Sequence, residues 1–412
     1  MKYDVFFSIS QTAVDGYTPS SSVMFENFFD QVRLADDLGF GTAWVAETHL
    51  SCQTQKKTSF RVVPEFSGEI GLNTDILQMA SEIYSQTKNI KVGSAIRNIM
   101  CNGGPVAQAE AIKTFMTLKQ FGPHKDRELE IGFAAGRFDF TNAPYGVRPR
   151  NEWEMSFWHL VKSRALEEAS EIFLRLLSGE ELSSSMIAPK FLNASDFRSV
   201  EDWKKASKMA DLDGEFEGGE IKVRKFFDFE ILSLIPLDAD MSKLHLTVGT
   251  HDPKIQEHCN RFWPTKVFNL SITPPKVIED THLLMQQVYN KEGGPWRRWY
   301  MPRTAMIFID DSPGLSRKEK NKKAKLKAQS AWTNYWKAMA GTIDQNKVDN
   351  AVDSTIYGSP EEVADKISVK YHPHDKLMLW FDFNNHDNED VKSAMNIFKE
   401  KVIPMIEAYG TN

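Results

Sequence analysis

Trp44-Val45-Ala46-Glu47-Thr48-His49 closes an apolar run with a carboxylate and an imidazole. Before it, Met24, Phe28, Val32, Leu34 and Leu38 recur at helical spacing until Gly39 stops the helix. Tyr3 to Ile9, further upstream, reads as a buried strand. Strand, helix and a second strand ending in ionisable groups make one unit of an alternating β/α architecture. In such architectures chemistry collects at the carboxyl ends of the strands.

The alternation continues outward from this unit. Apolar runs predict strands near 3–10, 41–47, 90–97, 128–134, 244–249, 266–271, 303–310 and 376–384. Helical spacing predicts helices near 21–38, 105–120, 153–178, 252–262, 274–290, 316–340, 359–369 and 387–408. Eight strands with helices between most of them is the count of an α/β (β/α)8 TIM barrel, against a doubly wound open sheet as the competing arrangement. Two interruptions are expected. One is a long loop after the second strand, near 50–76, with Pro64, Gly68 and Gly71. The other, near 181–242, lies between the fourth helix and the fifth strand, and its Val223 to Pro236 piece is apolar enough for an extra strand or hairpin. The reading is one barrel domain over 1–412 carrying the 181–242 insertion.

Composition narrows the class. A chain of 412 residues with 41% hydrophobic and 26% charged residues is an ordinary globular one. Its net charge of -6 offers no general attraction to nucleic acid or to an anionic membrane. Cys52, Cys101 and Cys259 are odd in number and far apart, so neither a disulfide framework nor a zinc site is expected. His251, His258, His372, His374 and His386 are too scattered for a metal site. No apolar run approaches a bilayer span, no basic region with an apolar signal core opens the chain, and a cytoplasmic protein is the expectation.

Several segments, in order along the chain, resemble the bacterial luciferase-like flavin-dependent monooxygenase family. Gly104-Pro105-Val106-Ala107-Gln108-Ala109-Glu110 is similar to that family's turn after the third strand. Arg127 to Arg137 is similar to its fourth strand and glycine turn. Ser163-Arg164-Ala165, Gly358 to Val363, and Phe398 to Ile406 with Val402 and Pro404 add further matches. The resemblance implies an enzyme on a (β/α)8 barrel, using reduced FMN from a separate flavin reductase and molecular oxygen. It would oxygenate a small organic substrate through a flavin hydroperoxide, as a homodimer or heterodimer. Two alternatives stand beside it: a deazaflavin-dependent oxidoreductase on the same barrel, and a non-catalytic subunit like the luciferase β chain.

Within that expectation the candidate residues sort by chemistry. Ala95, Ala134 and Ala135 are small residues at strand ends, where an isoalloxazine ring would approach the backbone; the competing reading is core packing. Phe6 and Phe7 on the first strand are candidates for a ring wall or for core filling. Alternation puts Glu47 and His49 on one side of an extended segment, facing one pocket. His49, with an ordinary pKa of about 6.5, is suited to shuttling a proton or orienting a reacting group; the bland alternative is a hydrogen-bonded rim histidine. The family signature often reads Glu-His-His, and Thr48 occupies the middle position here.

Thr247 to Pro253 leads into a helix, whose N-terminal amides favour an anion. The resemblance places the flavin phosphate at Gly249 and Thr250, against the plain reading of Thr250 or Asp252 as an N-cap. Light-emitting members carry an arginine at the position of Ala135, so Arg137 or Arg97 is the substitute considered. Asn269 and Ser271, after the sixth strand, are candidates for the ring edge. The basic run Arg317 to Lys327 reads first as a solvated helix face.

Overall fold

The computed structural model describes residues 1–58, 66–340 and 345–409; Pro64 of the expected loop lies outside them. The first four strands are β1 (Lys2–Phe7), β2 (Thr42–Val45), β3 (Lys91–Asn98) and β4 (Leu129–Ala134). Three short strands follow, β5 (Lys190–Leu192), β6 (Phe216–Glu217) and β7 (Glu220–Val223), and pair antiparallel in a separate sheet. The main series resumes with β8 (Leu244–Val248), β9 (Thr265–Val267), β10 (Pro302–Ile309), β11 (Ile356–Gly358) and β12 (Lys376–Trp380). Nine strands form one parallel sheet in the order β11-β10-β12-β1-β2-β3-β4-β8-β9. Just beyond β9, Asn269 bridges to Arg303 of β10. The Asn269 N–H donates to the Pro302 carbonyl at 2.9 Å, and the Thr304 N–H donates to the Asn269 carbonyl at 3.1 Å.

All eight expected strands are present, several of them shorter. β2 ends at Val45, β9 at Val267 and β12 at Trp380, because the chain leaves the ladder at its carboxyl edge to build loops. β11 was not expected, since three residues ahead of Gly358-Ser359-Pro360 show no alternation. From the sequence, no helix is expected between the second and third strands. One is present at Ile76–Gln86, capped by Asp75, and it buries Ile76, Leu77, Ala80, Ile83 and Tyr84. The Val223 to Pro236 piece is not a hairpin. The hairpin precedes it, turning at Gly218 and Gly219, both in the left-handed region that glycine tolerates. The 181–242 stretch also holds the helix Val200–Leu212, whose Ala206 and Ala210 pack with Trp153, Phe157 and Val161.

Side-chain alternation separates two sides of the main sheet. Val5, Phe7, Leu377, Leu379, Ile131 and Val248 pack outward with the surrounding helices. The other side carries a layer of buried charge. Asp4 accepts from the Trp44 indole at 2.8 Å and lies 3.4 Å from Lys376. Glu130 accepts from Lys266 at 2.7 Å and from the Thr247 hydroxyl at 3.0 Å. Above this layer lie Phe6, Trp44, Phe268 and Met378, which pack together and are buried.

Burial alone would raise the Glu130 carboxyl, but Lys266 and then Lys376 hold it down at about 2. A carboxyl lowered in the folded state adds stability above its unfolded pKa of about 4.3, and that contribution is lost as pH falls toward the folded value. Glu130→Gln leaves Lys266 without its buried partner and is expected to cost about 3–5 kcal/mol near neutral pH. Denaturant unfolding should show this deficit at pH 7 and a narrowing gap between variant and wild type from pH 4 down to 2. An equal deficit at every pH would mean that packing, and not charge, holds the layer.

Candidate active site

The carboxyl ends of β2 and β3 bring one polar chain together. Tyr145 donates its hydroxyl to Asn102 Oδ1 at 2.6 Å. The Asn102 amide therefore presents its NH2 to His49 Nδ1, 3.1 Å away. Nδ1 is then an acceptor, so His49 carries its proton on Nε2 and donates it to Glu47 Oε1 at 3.1 Å. The other Glu47 oxygen meets Arg97 NH1 at 3.5 Å. Arg97 is further held by the Gln108 side chain and lies 3.7 Å from Asp75. Glu47, His49 and Arg97 side chains are all under 8% exposed, whereas Tyr145 is 40% exposed. The chain thus runs from a neutralised buried carboxylate to a phenol at the surface.

The backbone that presents these groups is unusual. Leu50 and Asn102 both sit at positive φ, 61° and 52°, in the region that L-residues avoid. The Asn73 side chain ties the start of this turn, donating to the Ala46 carbonyl at 3.1 Å, while the Thr48 N–H donates to the Asn73 carbonyl at 3.0 Å. Cys101 lies beside the chain, but burial first, and then the Glu47 charge, pushes its thiol up to about 12, so it stays protonated.

The remaining candidates separate by position. Phe6 is on the inner side, 4.6 Å from Trp380, while Phe7 packs outward against Phe28. Ala134, Ala135 and Gly249 are partly exposed at or just past the ends of β4 and β8. Ala95, also partly exposed, lies midway along β3 and not at its end as the sequence suggests, because β3 runs on to Asn98. A Cβ on Gly249 would come 2.4 Å from Ile96 Cδ1 and 3.3 Å from Ala134 Cβ, so glycine there lets β8 close on β3 and β4. Ala135 offers its carbonyl to Asn142, which Asn98 holds in turn at 2.6 Å. Thr250 Oγ1 accepts from the Asp252 N–H at 3.1 Å, and Asp252 caps the next helix. The buried Asn269 accepts from His251 at 3.0 Å and donates to the Val267 carbonyl at 3.3 Å. The Ser271 N–H donates to the Thr304 hydroxyl at 2.6 Å.

Of the two arginines considered for a phosphate, Arg97 is turned toward Glu47 and Arg137 lies exposed over Phe138. Asn102 and Tyr145 were not legible in the sequence as site residues. Asn102-Gly103-Gly104 ahead of Pro105 signals a turn, but Tyr145 comes from the distant loop after β4.

Elsewhere, the basic helix is anchored by ion pairs: Arg317 to Asp365, Lys320 to Asp311, Lys323 to Asp310 and Lys327 to Asp390. A cavity of about 520 Å³ opens beside the helix Trp158–Leu177, away from the His49 chain. Its charges pair among themselves, Arg164 with Asp196 and Lys190 with Glu167, and leave little to recognise a ligand. Among the described residues no three His, Cys, Asp or Glu are grouped to hold a metal, and no helix is long and apolar enough to cross a membrane.

Residues 1–186 match the family of luciferase-like monooxygenases, the family that the sequence segments resemble. No curated protein matches the chain. Among solved structures, monooxygenase RslO1 from Streptomyces bottropensis is 16% identical, with a TM-score of 0.64 over 98% of this chain and 99% of that one. The oxygenating constituent of 3,6-diketocamphane monooxygenase from Pseudomonas putida, a type II Baeyer-Villiger enzyme solved with FMN, is 14% identical. Its TM-score is 0.57 over 98% of both chains. An F420-dependent secondary alcohol dehydrogenase is 13% identical, with a TM-score of 0.51 over 98% of both chains. At these identities the likeness is one of fold.

Tyr145→Phe removes the hydroxyl that orients the Asn102 amide. Nitrogen-15 NMR of the imidazole should report one Nε2–H tautomer for His49 in the wild type and a mixture in the variant. The lost hydrogen bond should cost about 1 kcal/mol of stability. An unchanged tautomer would show that Glu47 alone orients the ring.

Proposed function

We propose that the protein is a flavin-dependent monooxygenase that oxygenates a small organic substrate with reduced FMN, delivered by a separate reductase, and molecular oxygen. We further propose that the parallel strands close into a (β/α)8 barrel through the Asn269–Arg303 bridge, and that 181–242 is an insertion within one domain. The observation that carries the functional reading is the Glu47–His49–Asn102–Tyr145 chain beside partly exposed Ala95, Ala134 and Gly249. It stands in a chain whose first 186 residues match luciferase-like monooxygenases.

These residues fit a planar ring. Ala134 projects little from the end of β4 and Ala95 little from the middle of β3, where it packs on the apolar layer of Phe6, Trp44 and Phe268. In this reading Ala95, Ala134 and Gly249 lie under the ring and Phe6 closes one side. Thr250 offers its hydroxyl hydrogen to the phosphate, because its oxygen already accepts from the Asp252 amide. Ala135 and its turn flank that end. Asn269, its side chain bonded to His251 and the Val267 carbonyl, and Ser271, held by the Thr304 hydroxyl, stand at the ring edge. Reduced flavin, when bound, supplies the electrons that activate oxygen. His49 holds a proton at Nε2 against Glu47, and the Arg97 guanidinium lies 3.5 Å from the other oxygen of that carboxylate. The buried surroundings exclude water from this pair.

The test has two readouts. Titration of the purified chain should show FMN binding, weakened in Thr250→Ala by about fivefold to tenfold, or roughly 1 kcal/mol. Riboflavin affinity should stay unchanged, and equal losses for both ligands would place Thr250 away from the phosphate. Oxygen uptake with reduced FMN across a substrate panel should then yield oxygenated product. His49→Ala should lower product per flavin oxidised by roughly tenfold to a hundredfold, with hydrogen peroxide rising in step. Substrate oxidation with oxidised deazaflavin and no oxygen uptake would overturn the reading in favour of a dehydrogenase, the cofactor class named for one structural neighbour.

A further inference from the structure

The two halves of the inner side differ in character. Ala46, Ala134 and Gly249 stand at or just past the ends of β2, β4 and β8, with Ala95 midway along β3. Opposite them, from β1, β12 and the helix Arg317–Ala340, the wall is aromatic. Phe6 lies 4.6 Å from Trp380, Trp380 4.9 Å from Phe383, and Phe383 4.8 Å from Trp332. Trp336 stacks beyond Trp332 at 6.2 Å with their planes 25° apart.

Among the described residues, three polar atoms along this wall are buried and without a hydrogen-bond partner: the indole nitrogens of Trp336 and Trp380, and Oδ1 of Asp382. Trp332, between them, is the contrast, since its indole donates to the Thr355 hydroxyl at 2.9 Å. Asp382 is held from below. Its Oδ2 accepts from both the N–H and the hydroxyl of Ser8, each at 3.1 Å, and the backbone N–H groups of Ile9 and Asp382 also lower the carboxyl, while Oδ1 makes no hydrogen bond of good geometry. Ser8 and Asp382 stand two residues past Phe6 and Trp380, just beyond the ends of β1 and β12, and Asp382 also borders a small cavity with Ile9, Met24 and Phe28. Burial pushes the Asp382 carboxyl up to about 6, so it is an ionised acceptor near neutral pH.

An unpartnered buried donor or acceptor is destabilising, and three on one wall mark where a ligand supplies the missing partners. An alkyl chain would cover the rings and leave all three atoms unpaired. An ammonium would meet Asp382 and the ring faces but offer nothing to two N–H groups. A flat, oxygen-bearing ring system stacks on the wall and answers both kinds of atom. We infer that the substrate is a planar aromatic compound with hydroxyl or carbonyl oxygens, one hydroxyl donating to Asp382 and its acceptor oxygens facing the Trp380 and Trp336 N–H groups. This rests on the monooxygenase reading of the same site and names the substrate class for it.

The test uses the full-length protein with three probes, 2,6-dihydroxynaphthalene, naphthalene and decanal, followed by calorimetry or tryptophan fluorescence. Dihydroxynaphthalene should bind at least roughly tenfold more tightly than naphthalene, the scale of one or two net hydrogen bonds. Trp380→Phe keeps a ring and removes the N–H. It should lower dihydroxynaphthalene affinity by about threefold to tenfold and leave that of naphthalene unchanged. Trp336→Phe should act in the same direction, and a normal FMN titration on each variant shows that the fold is intact. Equal binding of the two naphthalenes, or tighter binding of decanal than of either, overturns the inference while FMN binding leaves the monooxygenase reading standing. A hydroxyl preference in a chain that binds no FMN would instead overturn the monooxygenase reading alone.

Discussion

The structure depends on a layer of charge buried on the inner side of the parallel sheet. Asp4 with Trp44 and Lys376, and Glu130 with Thr247 and Lys266, draw on six strands separated by up to several hundred residues. Each ion is costly to bury alone, and its partner lies on another strand. A slip of one residue in register would turn a charge into the outer apolar layer and orphan the other. The charges therefore specify register, and register sets everything above them. Phe6, Trp44, Phe268 and Met378 fall one layer up, and the small residues at the strand ends one layer above that.

At the carboxyl ends the regular ladder stops and strain begins. Ile9, Leu50 and Asn102, at φ of 43°, 61° and 52°, follow β1, β2 and β3 in the left-handed region, which for Ile9 is doubly unfavourable because it is β-branched. The rigid layers below hold these turns. What they deliver is a set of side chains whose hydrogen bonds lock one another: the Tyr145 hydroxyl decides the orientation of an amide, and the amide decides which imidazole nitrogen keeps the proton. Small residues stand over one half of the layer and aromatic rings over the other.

The features outside the barrel-like sheet attach to it by charge and by apolar faces. The basic run from Arg317 is pinned by acids at the ends of β10 and on the following helices, and carries Trp332 and Trp336 to the wall. The 181–242 stretch shares an apolar cluster with Trp153, Phe157 and Val161, so it is seated on the chain that precedes it.

Much of the fold was legible in the amino-acid sequence. Strand and helix spacing located eight of the nine strands of the main sheet and most of the helices around it, because burial on a pleated or helical face imposes a period that composition cannot hide. It failed at Ile76–Gln86 and Ile356–Gly358, one masked by the glycine-rich stretch before it and the other too short to show a period. Glu47 and His49 were legible as a pair because two residues of separation in an extended segment put them on one side. Asn102, Tyr145 and the inward aim of Arg97 were not, since their partners come from separate loops and only the closing of β2, β3 and β4 side by side brings them within hydrogen-bond reach. The unpaired indoles and Asp382 belong to the same class of information. A sequence states which donors and acceptors exist, whereas tertiary structure alone decides which of them are buried together and which are left without a partner.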